Sequence, residues 1–306
     1  MAATLDVDMR GGVIPGQGEN LWVLAARSGI GKTTVAIAAA MGLANNGAGV
    51  LFLSCELGAQ AISARFCAHT CRRNLGYATS LFTTNDLEGR GQVVEGEDLV
   101  LLRRLLEPFQ QGLRPDGQPM GKLLYQSQFA ATLEEVCAVV EDTKAANPDL
   151  AVVVLDHFHA MGASPGYGVH TTTELAHRAM GLKALAGRCD LDILVVAQLN
   201  RGAYGSSSPD VSHLAGTSEL ERFASAVWLI DRPKTPEGAT ARSLATTWAA
   251  PSSASTAPIA SWRRTRRGGP SWGVISTRGW RPCERHRAAI AGGGARAIAH
   301  RRSLPP

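Results

Sequence analysis

Nowhere in the 306 residues is there a run of about twenty apolar side chains, the length a helix needs to cross a bilayer. No basic stretch followed by an apolar one opens the chain, so no secretory signal is expected. Cysteine is sparse and scattered: Cys55, Cys67, Cys71, Cys137, Cys189 and Cys283. Cys67 and Cys71 share a helix face, yet no second ligand pair accompanies them, and buried thiols are expected rather than zinc. These absences point to a cytoplasmic, reducing setting. Acidic residues nearly vanish late in the chain. From Ser261 onward there are eleven arginines, no Lys or Asp, and the single acid Glu284. That tail therefore holds +10 of a whole-chain charge of +5, which leaves −5 on residues 1–260. The basic balance belongs to the tail and says little about what the acidic body binds.

What the body does have is alternation of buried strands with helices. Leu21–Ala26 is an apolar run that ends in a glycine turn. Lys32, Thr33 and Thr34 follow, and then a helix-forming run to about Asn46. Small residues there let backbone amides close around phosphate oxygens, and the helix N-terminus adds partial positive charge. The expected phosphate-binding residues are Ser28, Gly29, Ile30, Gly31, Lys32, Thr33 and Thr34. Lys32 can reach terminal phosphates, and the Thr33 hydroxyl can sit on Mg²⁺. Ala26 stands where the general pattern begins with Gly.

Three more strands end in chemically useful groups. Val50–Leu53 runs on to Glu56, Ala151–Leu155 ends at Asp156, and Asp192–Ala197 ends at Gln198. Continuous apolar runs of this kind suit parallel strands buried on both faces. Helices are expected near 59–73, 99–111, from the capping-box pattern Thr132-Leu133-Glu134-Glu135 to about Ala146, over 173–188, and over 218–224. Residues 86–97 read as surface loop. The alternation predicts an α/β fold with a mostly parallel central sheet covered by helices on both sides. Ligands in such sheets bind at the carboxyl ends of the strands. NTP hydrolysis needs a phosphate cradle, a metal position, a water-orienting base and charge stabilisation. Lys32 with the loop amides, Thr33 with Asp156, Glu56 and Gln198 are the candidates for those roles. His157 and His159 flank the strand end and read as ordinary packing, since no further metal ligands match them.

These motifs together resemble the motor domain of DnaB-type replicative helicases, a RecA-like P-loop ATPase family. The likeness rests on Leu21–Arg27 leading into Gly31-Lys32-Thr33, on Phe52–Leu57, on Val154–Met161, on Gln198-Leu199-Asn200-Arg201, and on Leu214–Ile230. It covers about residues 10–232. The family also commonly has Ala at the first loop position. Where it usually has an aromatic residue and Gln, this chain has His157 and His159. The resemblance implies ATP and Mg²⁺ as cofactors, a hexameric ring with sites between subunits, and movement along single-stranded DNA. It makes Glu56 the catalytic glutamate and Gln198 the γ-phosphate sensor. Arg201, Thr217 and Ser218 become the DNA-contact candidates, with Ala215-Gly216 where the family offers an Arg-Glu pair. The primase-interacting domain of the family is expected to be absent, since residues 1–20 read only as a lead-in.

The ATPase domain is expected over 21–242, with an Arg/Gly/Pro-rich tail over 243–306. After Arg232 no Lys-x-Arg segment occurs, although the family carries its trans-acting arginine there. Three readings of the tail stand open: a basic disordered arm for nucleic acid, an unusual domain, or a frame-shifted end. With GC-rich codons, Pro251–Pro258 read from the third base gives Gln-Gln-Arg-Gln-His-Gly-Pro. That resembles the family's finger segment, Lys-Gln-Arg-Asn-Gly-Pro. Two alternatives accompany the helicase reading: a RecA-like ATPase without helicase activity, and a chain that binds ATP but turns it over poorly.

Overall fold

The computed structural model describes residues 20–75, 81–169, 171–200, 210–214, 218–231, 245–249 and 260–261. In chain order the strands are β1 (Leu21–Ala26), β2 (Gly49–Ser54), β3 (Leu123–Ser127), β4 (Leu150–Asp156), β5 (Asp192–Gln198), β6 (Ala226–Asp231), β7 (Ala245–Ala249) and β8 (Ala260–Ser261). The helices are α1 (Lys32–Asn45), α2 (Ala59–Leu75), α3 (Thr84–Leu87), α4 (Gly96–Gln110), α5 (Leu133–Ala146), α6 (Thr172–Cys189) and α7 (Ser218–Phe223). The described strands form one sheet in the order β3-β2-β4-β5-β1-β6-β7-β8. Strands β3 through β6 in that order are all parallel, as the uniformly apolar runs predict.

Each strand sends alternate residues to opposite faces. In β1, Leu21, Val23 and Ala25 join a core with Leu133, Val136 and Val140 of α5 and Leu175, Ala179 and Leu182 of α6. Trp22, Leu24 and Ala26 join the other core, with Val35 to Ala44 of α1 and Ile62 and Phe66 of α2. Trp22 and Trp228 of the neighbouring β6 face each other there, with ring centroids 6.4 Å apart. Complete burial of an aromatic or branched side chain contributes about 1.5–3 kcal/mol. These two layers cover both faces of the sheet.

Differences from the sequence reading lie at polar or short segments. Part of the expected 86–97 loop is helical: Thr83 and Asp86 form a capping box that starts the one-turn α3. Helix α4 begins at Gly96, three residues before its apolar repeat, because Glu97 and Asp98 in the first turn favour a helix start. Strands β7 and β8 extend the sheet antiparallel beyond position 242, where the sequence reading ends the domain. The β-branched and aromatic run Thr246-Thr247-Trp248 suits such a strand. Residues 262–306, which hold most of the arginine-rich tail, lie outside the described residues. No helix among the described residues is long and apolar enough to cross a membrane.

Candidate functional site

The sheet order sets β2, β4, β5 and β1 side by side, so their carboxyl ends form one row. Register completes the alignment. Ser54 pairs with Asp156, Asp156 with Val196, and Gln198 with Ala26. Glu56, Asp156, Gln198 and the loop after β1 therefore meet at one edge.

The loop between β1 and α1 turns through Gly29 at φ 76° and Gly31 at φ 103°. Both values lie in the left-handed region, which glycine adopts without steric cost. Gly31 is the N-cap of α1, and no side chain caps that helix end. The amides of its first turn are thus left for an external acceptor. No acidic residue occupies the first turn either. Lys32 donates its Nζ hydrogen to the Arg27 carbonyl at 3.4 Å, which curls the side chain back over the loop. Burial lowers the Lys32 pKa, while the nearby carboxylates of Asp156 and Glu56 act in the opposite sense.

Asp156 is 1% exposed at the end of β4, and neither of its carboxylate oxygens completes a hydrogen bond. Burial pushes its pKa up to about 6. The Thr33 hydroxyl and the Lys32 ammonium lie near enough to oppose that rise, and Glu56 adds to it. A buried, unpartnered carboxylate beside a hydroxyl is an expensive arrangement for a fold alone. It fits a hard cation. Among the described residues no group of three His, Cys, Asp or Glu could hold a metal by itself. One carboxylate and one hydroxyl suit Mg²⁺, which keeps waters and takes substrate phosphate oxygens for its remaining positions.

Glu56 follows β2 on a short turn made by Ser54. The buried Ser54 hydroxyl accepts from the amides of Glu56 at 3.4 Å and Leu57 at 2.9 Å. The Glu56 carboxylate reaches outward, 58% exposed, and its Oε2 lies 3.2 Å from His157 Nε2. His157 Nδ1 accepts the Ala160 amide at 3.2 Å, so Nε2 carries the proton and donates it to Glu56. Burial lowers the His157 pKa, and Glu56 opposes that shift while Lys32 adds to it. The ring is thus a neutral donor near pH 7. His159 Nδ1 accepts the backbone N–H of Gln198 at 3.4 Å.

The site therefore gathers Lys32, Thr33, Glu56 and Asp156 as one electrostatic group, and His159 ties Gln198 to it. His157 and His159, expected to be ordinary packing, are instead the links from β4 to the base and the sensor. The chain leaves β4 for a 3₁₀ turn at Phe158–Ala160, and that turn, with no local sequence signal for it, sets His157 against Glu56 and His159 against Gln198. Of the DNA-contact candidates, Arg201 and Thr217 lie outside the described residues. Ser218 opens α7. The segment between β5 and α7 is pinned at its base: Leu199 bridges Leu214, and the Asn200 amide donates to the His213 carbonyl at 2.8 Å.

Residues 119–264 match the family model described as the DnaB-like helicase C terminal domain. Over that stretch, a little under half of the chain, the sequence is similar to DnaB-like helicase C-terminal domains. No curated protein sequence matches it. A solved DnaB-like replicative helicase, reported with its interactions with primase, superposes with a TM-score of 0.64 at 15% identity. That match covers 82% of this chain and 57% of the other, so the chain spans little more than half of that relative's length. A solved ATPase domain gives a TM-score of 0.62 at 16% identity, covering 80% of this chain and 81% of that one. At such identities the likeness shows the fold, which is RecA-like α/β. The DnaB-like match runs to residue 264 and so takes in β7 and β8 as well as β3 through β6.

Proposed function

We propose that this chain binds Mg²⁺ and ATP at the loop of residues 26–34 and hydrolyses the nucleotide to drive movement along single-stranded DNA and duplex unwinding. The observation that carries the reading is Asp156: a buried carboxylate with two unpartnered oxygens, beside Lys32 and Thr33 at the mouth of an uncapped helix. Asp156 and Thr33 would hold the cation. Bound there, Mg²⁺ supplies positive charge that offsets the charge developing on the transferred phosphoryl group.

The remaining roles belong to the chain's own groups. The α1 amides and Lys32 bind phosphate oxygens and offset their charge. Glu56 takes a proton from the attacking water, and His157 Nε2–H orients the carboxylate for that task. Gln198 reports on the γ-phosphate through its side-chain amide. Gln198 directly precedes Leu199, which bridges Leu214, so the sensor lies beside the two ends of the stretch that carries Arg201 in the sequence. Arg201, Thr217 and Ser218 are proposed to contact the DNA backbone. With so few charges there, binding leans on hydroxyls and amides and has a shallow salt dependence.

A homo-oligomeric, six-membered ring in the cytoplasm is the assembly this reading calls for, with each site completed by a neighbour. A second reading has one specific observation behind it. No Lys-x-Arg segment follows Arg232, so an arginine finger from the neighbour is not evident. Loss of a finger lowers turnover by about 10³–10⁵. On that reading the chain binds ATP and turns it over slowly. Steady-state ATP hydrolysis with and without single-stranded DNA, run beside a solution mass measurement, separates the two. DNA-stimulated turnover by a ring supports the motor. Tight ATP binding by a monomer with no stimulation supports the slow binder.

A further inference from the structure

Helix α6 buries a charged pair in the core. Glu174 and Arg178 are both 0% exposed, one turn apart on the face that also carries Leu175, Ala179 and Leu182. Arg178 Nε donates to Glu174 Oε1. Neither residue touches the phosphate loop. Burying such a pair is a poor way to stabilise a fold, since apolar side chains of similar volume commonly do as well or better. The pair therefore calls for another account.

The other arms of the guanidinium provide it. Arg178 Nη1 donates to the Phe158 carbonyl at 2.9 Å, and Nη2 donates to the Gly162 carbonyl at 2.9 Å. Those two carbonyls bracket the turn that follows Asp156. The guanidinium also sits 5.9 Å from the centroid of the buried Phe158 ring. From the far side, the Gly162 amide donates to the Ala131 carbonyl at 2.9 Å. A Cβ at Gly162 would stand 2.1 Å from the Ala130 carbonyl oxygen, so the turn has no room to retreat there. On its outer side the same turn carries His157, which holds the Glu56 carboxylate, and His159, which accepts the backbone N–H of Gln198 at the end of β5.

We infer that Arg178, oriented by Glu174, is a positioning residue for hydrolysis: it fixes the turn 158–162 so that His157 and His159 present Glu56 and Gln198 together. The inference rests on the reading of Glu56 and Gln198 as base and sensor. A planar fork with several fixed donors suits two carbonyls and a carboxylate at once, and a lysine ammonium cannot span them in the same geometry. Displacing a reacting group by about 1 Å can cost about 100-fold in rate.

The test uses the full chain and two variants, Arg178→Lys and the double substitution Glu174→Leu with Arg178→Met. The first keeps an ion pair with Glu174, and the second removes both charges together. For each, kcat and KM for ATP with single-stranded DNA are measured, alongside thermal melting and the ¹⁵N signals of the His157 ring. The inference expects kcat to fall about ten-fold or more while KM stays within about two-fold, in protein that melts cooperatively. It also expects the His157 ring to lose its single Nε2–H form. Unchanged kcat and unchanged His157 signals in either folded variant would overturn it. So would losses in kcat that only track loss of folded protein. If the parent chain shows no turnover, the functional reading fails, and the His157 signals alone decide whether Arg178 sets that ring.

Discussion

His157 Nε2 lies 3.2 Å from Glu56 Oε2, and the Ala160 amide fixes the other ring nitrogen at 3.2 Å. The imidazole is thereby committed to donating to the carboxylate. Glu56 is exposed enough to meet water while the imidazole holds one of its carboxylate oxygens.

Glu56→Gln removes the proton acceptor and leaves the phosphate contacts intact. Turnover should fall by about 10²–10⁴, with ATP affinity held within a few-fold. His157→Ala leaves the acceptor but frees its orientation, and a smaller loss of about ten-fold is expected. Single-turnover hydrolysis with a fluorescent nucleotide titration measures both quantities. Full activity in the His157 variant would mean that the contact does not position the base.

Asp156 carries a trade between stability and function. Its carboxyl is pushed up to about 6 by burial, so the folded chain holds its proton where the unfolded chain has lost it. Between about pH 4 and 6 the native state then binds more protons, and stability falls as pH rises through that window. Above it the penalty is constant. Asp156→Asn removes the charge, and the nucleotide-free protein should gain about 1–2 kcal/mol at pH 7.5. The gain should shrink toward pH 4.5, and Mg²⁺-dependent hydrolysis should be lost. Thermal melts across pH without nucleotide check the first part. A destabilised Asn variant would show that the carboxylate has a structural partner.

Gly31 caps α1 at φ 103°, a conformation that an L side chain reaches only with strain. Gly31→Ala should cost about 1–3 kcal/mol and tilt the first-turn amides away from the phosphate. ATP affinity should drop with the melting temperature. Normal affinity in a folded Gly31→Ala protein would mean that this turn does not build the cradle.

Much of this arrangement is legible along the chain. The apolar runs ending at Ala26, Asp156 and Gln198 each needed two covering layers, and the parallel sheet follows from that. The loop glycines and Lys32 carry their chemistry in their order. Glu56, Asp156 and Gln198 could be picked out because each ends a buried run. What the sequence hid depends on register and on one turn. His157 and His159 read as packing because nothing local says which strand each ring will face, and only the order β2-β4-β5 decides it. Glu174 and Arg178 stand four apart among apolar residues on α6, a pattern usually assigned to a solvated face. Their burial depends on carbonyls at Phe158 and Gly162, twenty and sixteen residues from Arg178 in the chain. Strand β7 escaped because its Ala/Thr/Trp run is short and lies past the last strong apolar segment.

The most direct measurement is ATP hydrolysis by the full chain against its Lys32→Ala variant, with equilibrium ATP binding measured in parallel. Lys32 sits close enough to Asp156 and Glu56 to feel both carboxylates, so its loss should remove turnover by about 10³ or more and weaken ATP binding. Equal hydrolysis by both proteins, or no ATP binding by the parent chain, would contradict the assignment of this loop as the nucleotide site.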